Sequence, residues 1–450
     1  MIFKKREDEP VAADEGANQL SSEQVAKAPL LLLSGENSDD QSVQKTFEGH
    51  AGNLRVVPLS GEDLTAVSRA TAVVSLFEDE NRMNRLLDEV IKVRHARRDG
   101  TPTMIVAARI DNLIALGKWL HNRAEQDALE GIRLIAASDL SEVASELGDK
   151  LGPVTEQNII KMPLSPEIPD SGYKYFYTIS PSLREVVRLT RELAENNVSR
   201  IYLLGGPGAG KTSIAYYYWL SRAKGNFVTI NLNAESTGDK AAMKSLLCGH
   251  VTGSFPGASA REGALSFAKD GVCFLDESHG VTGVVMQVLM EVLDSNQYYP
   301  FGATAKRLLE CAVIFASNRS WESLRDQINL DEHARLGATL IEIEDLSCRP
   351  EDLVAVLSAM FAKFEKQCTT WQPPRGLTDA AWRRIQKCPW RGNLRTLMRV
   401  FETAAVHASA VKKSSELLDV DEIEYGIGLW EPEDHHSHKI YTSVQSGSAV

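Results

Sequence analysis

A glycine-rich loop at residues 205–212 constrains the fold of this 450-residue chain more than any other feature. The loop follows an apolar run, Ile201 to Leu204, and precedes a helix-forming stretch that begins at Ser213. Glycines let the backbone curl so that its N–H groups point at phosphate oxygens, and the following helix adds its N-terminal dipole. The loop consists of Gly205, Gly206, Pro207, Gly208, Ala209, Gly210, Lys211 and Thr212. This G-x-x-x-x-G-K-T pattern predicts an ATP site, where Lys211 reaches the β- and γ-phosphates and Thr212 ligates Mg²⁺.

Two acids follow a second apolar run, Val272 to Leu275, about sixty residues later. A buried strand that ends in Asp276 and Glu277 suits ATP hydrolysis. Asp276 would hold Mg²⁺ through water, and Glu277 would orient and deprotonate the attacking water. A third apolar run ends at Asn318, and the tip of this strand would lie beside the γ-phosphate. Asn318 could position the attacking water there, or it could only form a turn.

The N-terminal part of the chain alternates five apolar runs with helical stretches, which predicts a parallel sheet covered on both faces. We place this domain at residues 28–152, after a flexible tail at 1–27. Its size and alternation resemble the receiver domain of two-component response regulators. The receiver's phosphorylation residues are missing: Ala107 and Ala108 follow the fourth run, and no lysine follows the fifth. We therefore expect a docking or oligomerisation domain without phosphorylation chemistry. Four prolines in 153–180 predict a linker.

The remaining motifs resemble, in order, those of an AAA+ ATPase, and more narrowly the central domain of bacterial enhancer-binding proteins, the activators of sigma-54 RNA polymerase. The resemblance covers about residues 170–412. It rests on the two motifs above and on FVTINLNA, GHVTGSFPGA, REGALSFAKDGVCFLDE, QVLMEVLDS and WRGNLRTL. It implies an α/β fold with a three-layer P-loop core at 181–348 and a small helical lid at 349–429. A tail at 430–450 would follow.

The resemblance also implies roles for residues outside the two nucleotide motifs. Asn231 would hold the catalytic Glu277 until a partner engages, and Arg395 would contact the nucleotide from the lid. Arg335 would act as an arginine finger in the site of a neighbouring subunit, which implies a ring, usually a hexamer in this family. The family's other trans-acting arginine is Asn329 here, and Arg325 is a candidate replacement.

The loop that touches the sigma factor in this family reads GAFTGA, and it is altered in this chain. The corresponding residues are Gly253, Ser254, Phe255, Pro256, Gly257 and Ala258. Pro256 replaces a threonine, which removes a hydroxyl group and a backbone N–H and restricts φ to about −65°. Phe255 remains as an apolar tip. We expect the loop to project and to move with the ATP state, while its contact with sigma-54 is in question.

Net charge and the sequence near the two ends of the chain bear on whether the protein binds DNA or a membrane. Lys plus Arg number 49 and Asp plus Glu 61, a net charge of −12, and the residues after Val411 are acidic. We therefore expect no DNA-binding helix-turn-helix. With no long apolar run and no secretory signal, we also expect no membrane span and a cytoplasmic location.

These patterns lead to two hypotheses about the partner of an ATP-hydrolysing motor. In the first, the protein remodels sigma-54 RNA polymerase in transcription regulation. The second is that it remodels or assembles another complex, such as a secretion, motility or surface structure. A nucleotide-gated scaffold without hydrolysis is a third reading, which the intact lysine and acids oppose.

Overall fold

The computed structural model describes most of the chain between residues 29 and 431. The described ranges are 29–59, 63–126, 129, 131–154, 157–163, 175–232, 239–278, 283–325, 338–369, 371–412 and 416–431. They form an N-terminal α/β domain, a second α/β domain and a helical lid.

The N-terminal domain is a five-stranded parallel sheet flanked by helices. The elements are β1 (Leu30–Ser34), α1 (Gln41–His50), β2 (Arg55–Pro58), β3 (Ala70–Leu76), α2 (Glu80–Arg97), β4 (Thr103–Arg109), α3 (Leu113–Glu125), β5 (Ile132–Ala137) and α4 (Leu140–Ser145). The strand order β2-β1-β3-β4-β5 is the flavodoxin-like order, which confirms the predicted receiver-like fold. Asp40 and Asp79, two of the acids near the strand ends, cap the N-termini of α1 and α2 through their side chains.

The segment predicted as a linker contains two paired strands. Strands β6 (Ile160–Pro163) and β7 (Tyr175–Thr178) pair in antiparallel fashion, with Met162 opposite Phe176. Both of these side chains are buried, so burial of apolar residues stabilises this strand pair. The linker prediction for 153–180 is therefore corrected for these two strands.

The main elements of the second α/β domain are α5 (Pro181–Glu195), β8 (Arg200–Leu204), α6 (Lys211–Arg222), β9 (Phe227–Asn231), α7 (Lys240–Cys248), β12 (Val272–Asp276), α9 (Gly283–Ser295), β15 (Ala312–Ser317), α10 (Trp321–Arg325) and β16 (Thr339–Glu342). Its strands form a parallel sheet in the order β16-β8-β15-β12-β9. Between them lie β10 (Gly249–His250), β11 (Arg261–Glu262), α8 (Ala264–Phe267), β13 (Gln297–Tyr298) and β14 (Arg307–Leu308). The three strands predicted to carry site residues, β8, β12 and β15, are neighbours in the sheet, so their carboxyl ends meet at one edge.

The lid follows the last strand of this sheet. It consists of α11 (Asp352–Gln367), β17 (Gly376–Leu377), α12 (Asp379–Gln386), α13 (Asn393–Val406), a π-helical turn (His407–Lys412), β18 (Leu417–Leu418) and α14 (Val420–Trp430). Helix α14 begins with a complete capping box between Asp419 and Glu422, and it ends one residue beyond the predicted lid boundary.

The N-terminal domain is docked on the lid through helix α3, which packs against α11. Contact is close: a Cβ placed on Gly117 would lie 2.0 Å from the Ser358 carbonyl oxygen. Lys118 Nζ lies 2.6 Å from Glu365 Oε2, and Ser138 donates to Asp379 over 2.8 Å. Buried residues of both domains belong to one continuous apolar cluster. Helix α11 is therefore enclosed between the N-terminal domain and the rest of the lid and core.

Asp352, the first residue of α11, fixes this helix to the core. One carboxylate oxygen accepts hydrogen bonds from the Thr178 hydroxyl (2.9 Å), Ile179 N (2.6 Å) and Ser180 N (2.8 Å). The other accepts from the Ser180 hydroxyl at 2.9 Å and from Arg349 Nη1 at 2.8 Å. Asp352 and Arg349 are each only 1% exposed. A buried ion pair of this kind is stabilised only while each charge retains its partners.

We predict that Asp352→Asn lowers the free energy of unfolding by about 3–5 kcal/mol, because it leaves the buried Arg349 charge without its carboxylate. The neighbouring Glu351→Gln change removes an exposed carboxylate and should alter that free energy by less than about 0.5 kcal/mol. Urea denaturation of both variants measures the difference. Equal effects at the two positions would show that Asp352 is not an anchor.

Candidate functional site

The glycine-rich loop connects β8 to α6 and is held against the lid. Gly208 has φ of +71°, and a Cβ there would lie 2.3 Å from the Gly392 carbonyl oxygen. A Cβ on Gly206 would lie 2.4 Å from Asp345 Oδ1. Side chains at these positions would push the loop away from the lid, so the glycines are required by this packing as well as by the curled backbone.

Lys211 lies at the start of α6 and is oriented by the loop itself. Its Nζ donates to the carbonyl oxygens of Gly205 (2.8 Å) and Gly206 (2.9 Å). Burial lowers the pKa of Lys211, and the charge of nearby Asp276 partly opposes this effect. Thr212 follows on the first turn of α6, and both residues line one cavity, which is described below.

The two acids stand at the end of β12, between β15 and β9. The Asp276 carboxylate accepts a hydrogen bond from Glu277 N over 2.8 Å. Glu277 has φ of +52°, a left-handed conformation that is rare for a residue with a side chain. Backbone strain of this kind tends to occur at functional sites, where the surrounding structure maintains it.

Ser278 holds the segment after the acids and was not anticipated from the sequence. Its hydroxyl donates to the Ala316 carbonyl oxygen over 2.8 Å, and the Tyr202 hydroxyl lies 2.6 Å from it. These bonds tie the acid-bearing segment to the two neighbouring strands, β15 and β8. A serine after two acids gives no sequence signal of this role.

Asn393 connects the lid to the loop. Its amide nitrogen donates to the Pro207 carbonyl oxygen (3.1 Å) and to Asp345 (2.8 Å), and its amide oxygen accepts from Leu346 N (2.6 Å). The side chain is fully buried. Asn393 lies two residues before Arg395 in the motif WRGNLRTL, but nothing in the sequence distinguished it as a binding residue.

One cavity of about 520 Å³ collects most of the predicted residues. Those that line it are Pro207, Gly208, Gly210, Lys211, Thr212, Ser213, Asp276, Glu277, Asn318 and Arg395. Gly205, Gly206 and Ala209 belong to the same loop but do not line the cavity. The elements β8, β12, β15 and α13 thus deliver cationic, acidic and amide groups to one place.

Most of the remaining lining is apolar and was missed by sequence reasoning, as were two polar lining residues, Thr229 and Lys363. Its walls come from β7, α11 and α13, through Tyr175, Phe176, Val356, Ala359, Met360, Leu394 and Met398. Flat aromatic and flexible thioether side chains suit a planar heterocycle next to the phosphate loop. Tyr175 and Phe176 lie in the segment predicted as a linker, which explains why they were overlooked.

Asn231 is not among the described residues that line this cavity, and the arginine-finger prediction concerns residues that the structure does not describe or describes only in part. Asn231 ends β9 and is opposite Asp276 in the sheet register, one residue before Glu277, and its contact with Glu277 stays a prediction. Arg335 and Asn329 lie outside the described residues, and Arg325 is described only as the last residue of α10. The arginine-finger prediction is therefore untested.

The altered loop between β10 and β11 is stabilised by backbone hydrogen bonds between its own residues. Gly253 N donates to Ala258 O, and Ala258 N donates to Phe255 O, each over 3.0 Å. The Ser254 hydroxyl donates to Phe301 O over 2.7 Å, which braces the loop against the β13–β14 connection. The Phe255 ring lies 5.0 Å from the His250 ring and is 45% exposed. An apolar tip is thus presented on a supported loop.

Arginine ion pairs occupy the corresponding edge of the N-terminal sheet. Arg82 donates to Ser34 over 3.0 Å and lies 3.5 Å from Glu78. Arg109 lies 3.6 Å from Glu36 and 2.8 Å from Asp111, and its hydrogen bond lowers the pKa of Asp111. Two guanidinium groups and three carboxylates thus form ion pairs at this edge of the sheet.

Helix lengths and hydropathy bear on membrane association. In the part of the chain that the structure describes, no helix combines the length and apolar character needed to cross a membrane.

The fold and the cavity define an AAA+ P-loop domain with a helical lid. Residues 176–342 match the family described as the sigma-54 interaction domain. The chain is 30% identical over 254 residues to the alginate biosynthesis transcriptional regulatory protein AlgB of Pseudomonas aeruginosa, covering 55% of this chain and 54% of AlgB. It is 29% identical over 232 residues to the Nif-specific regulatory protein of Azotobacter vinelandii, covering 50% and 43% of the two chains.

Among solved structures, NtrX from Brucella abortus matches over 93% of this chain and 92% of its own, with 18% identity and a TM-score of 0.49. The chain matches about half the length of the curated relatives. Its central segment, residues 176–342, is the part that matches the sigma-54 interaction domain.

Proposed function

We propose that the chain is an ATP-hydrolysing AAA+ motor that remodels a protein partner. The observation that carries this proposal is the single cavity in which the loop lysine, both strand-end acids, Asn318 and the lid arginine meet. Phosphoryl transfer requires positioning and charge stabilisation more than covalent chemistry, and this set of groups supplies both. A purely structural cavity would have no use for two adjacent acids beside a half-buried lysine.

The phosphate end of ATP would be held by the loop and α6. Lys211 would exchange its two carbonyl partners for phosphate oxygens, which form stronger charge-assisted bonds. The Thr212 hydroxyl and the Asp276 carboxylate are oxygen donors on the same wall, and they fit the preference of Mg²⁺ for one or two protein oxygens beside phosphates. Bound Mg²⁺ would neutralise phosphate charge.

The remaining groups would act on the attacking water and on the lid. Glu277 would take the proton from water, Asn318 would orient it, and Asn231 would restrain Glu277 between cycles. Arg395 would contact the phosphates in the same subunit, while Arg335 would reach a neighbour's site in a ring, six subunits being the usual number in this family. The apolar wall of Tyr175, Phe176 and Met360 would receive the adenine.

We predict that Glu277→Gln lowers the ATP hydrolysis rate at least 100-fold while ATP affinity changes less than about threefold, because the amide keeps the shape of the side chain but accepts no proton. The exposed Glu310→Gln variant is the matched control and should hydrolyse ATP at the parental rate. A phosphate-release assay and a nucleotide-binding titration measure the two effects.

Parental hydrolysis by Glu277→Gln would remove the catalytic assignment. Tight ATP binding without hydrolysis by the parental protein would favour the nucleotide-gated scaffold instead.

The partner of the motor is a separate question. The family match and the regulatory relatives support sigma-54 RNA polymerase as the partner. The loop chemistry favours a second candidate, another protein assembly, because Pro256 replaces the threonine of the usual contact loop and removes a backbone donor. In either case Phe255, half-exposed on its braced loop, is the group expected to press on the partner.

Purified sigma-54 distinguishes these two partners. If the transcriptional proposal is right, immobilised Glu277→Gln protein with ATP should retain sigma-54, and Phe255→Ser should reduce that retention at least tenfold. Phe267→Ser, which also removes an exposed phenylalanine of the same domain, is the matched control and should retain sigma-54 fully. Absence of retention in the ATP-bound Glu277→Gln protein would exclude sigma-54 and leave the second candidate.

A further inference from the structure

A second cavity of about 520 Å³ lies between the N-terminal domain and the lid. Strand β5, an edge strand of the N-terminal sheet, contributes one wall, and the other walls come from the start of α5, the start of α11 and helix α12. None of the nucleotide-binding residues lines it. Cavities of this size at domain interfaces commonly hold small ligands, and this volume far exceeds that of one or two water molecules.

Several hydrogen-bond donors line this interdomain cavity. Arg184 Nη1 donates to Asn158 Oδ1 over 2.9 Å. Among the described residues, Arg184 Nε and Asn158 Nδ2 are both buried and have no hydrogen-bond acceptor. Buried donors are rarely left without an acceptor, because the loss costs about 1–3 kcal/mol each. Both side chains line the interdomain cavity, so a small side-chain movement would bring these two donors to an acceptor bound there.

The charges around the two donors favour an anion. Arg133, Lys150 and Arg184 line the cavity, against Glu146 and Glu351. Glu146 is engaged by Lys150 at 3.3 Å, and Glu351 is exposed to solvent. The flat, buried Trp382 side chain forms an apolar part of the wall next to this cationic region. Arginine pairs preferentially with planar carboxylate or phosphate groups.

The interdomain cavity shares two structural elements with the nucleotide cavity. Helix α11 presents Val354 to the interdomain cavity and Val356 to the nucleotide cavity. Strand β7 presents Phe176 to the nucleotide cavity, and Ile179, just after its end, to the other. A ligand that fixes α11 and β7 would bias both sites at once, and such coupling is reciprocal.

We propose that this interdomain cavity is an effector site for a small organic oxyanion, a molecule that carries a phosphate or carboxylate group. Arg184 and Asn158 donate to the oxyanion, and Trp382 packs against its apolar part. The site is distinct from the nucleotide cavity and does not depend on ATP hydrolysis. An occupied site holds the N-terminal domain, the lid helix and β7 together and thereby changes ATP affinity.

Calorimetric titration of the full chain with inorganic phosphate and, separately, with citrate tests the proposal at fixed ionic strength. We expect at least one of the two to bind at a site that Lys211→Ala does not remove, which separates it from the phosphate loop. Preference for phosphate or for citrate identifies the class of oxyanion. Arg184→Gln should weaken this binding at least tenfold, since it removes the charged donor.

Arg188→Gln is the matched control, because Arg188 lies one turn further along α5 and makes exposed ion pairs with Glu185 and Glu192. It should leave binding unchanged. Asn158→Asp is a second variant that places negative charge in the cavity and should also weaken binding, with thermal unfolding confirming that each variant is folded.

Three outcomes would overturn the proposal. They are loss of all phosphate and citrate binding in Lys211→Ala, no binding of either probe, or equal effects of Arg184→Gln and Arg188→Gln. Because none of these measurements uses ATP turnover, they fail or succeed independently of the proposed motor function.

Discussion

The hydrogen-bonded carboxylate of Asp352 is the interaction on which the rest of the arrangement depends. It accepts five hydrogen bonds, from Thr178, Ile179, Ser180 and Arg349, and so joins the start of α11 to the end of β7. Helix α11 then contributes to the nucleotide cavity on one side and to the contact with α3 on the other. Displacement of this helix would alter both at once, because packed interiors shift between discrete arrangements rather than deforming smoothly.

The N-terminal domain has the receiver fold but a different internal chemistry. Arg82 and Arg109 fill the strand-end region with ion pairs, and Gly117 allows α3 to approach α11 closely. Exposed ion pairs contribute little stability on their own, so the docking depends mainly on the continuous apolar cluster between the domains. The N-terminal domain and the lid are therefore held together by shared burial of apolar side chains.

The local parts of the site could be predicted from the sequence, and the long-range parts could not. The phosphate loop and the Asp276–Glu277 pair are contiguous motifs with a flanking strand, so their position at the sheet edge could be predicted directly. Tyr175 and Phe176 were missed because prolines nearby indicated a linker, while burial against the core gave a strand pair. Asn393 and Gly117 act through contacts with residues distant in sequence, which no local pattern reports.

Helix α11 lines the nucleotide cavity and packs against α3, so we expect it to link ATP binding to the N-terminal domain. Hydrogen–deuterium exchange of the full-length Glu277→Gln protein, with and without ATP, tests it most directly, because the amides of α3 lie outside the nucleotide cavity. The account predicts that ATP slows exchange in α11 and also in α3. Slower exchange confined to the loop and α6, with α3 unchanged, would contradict it.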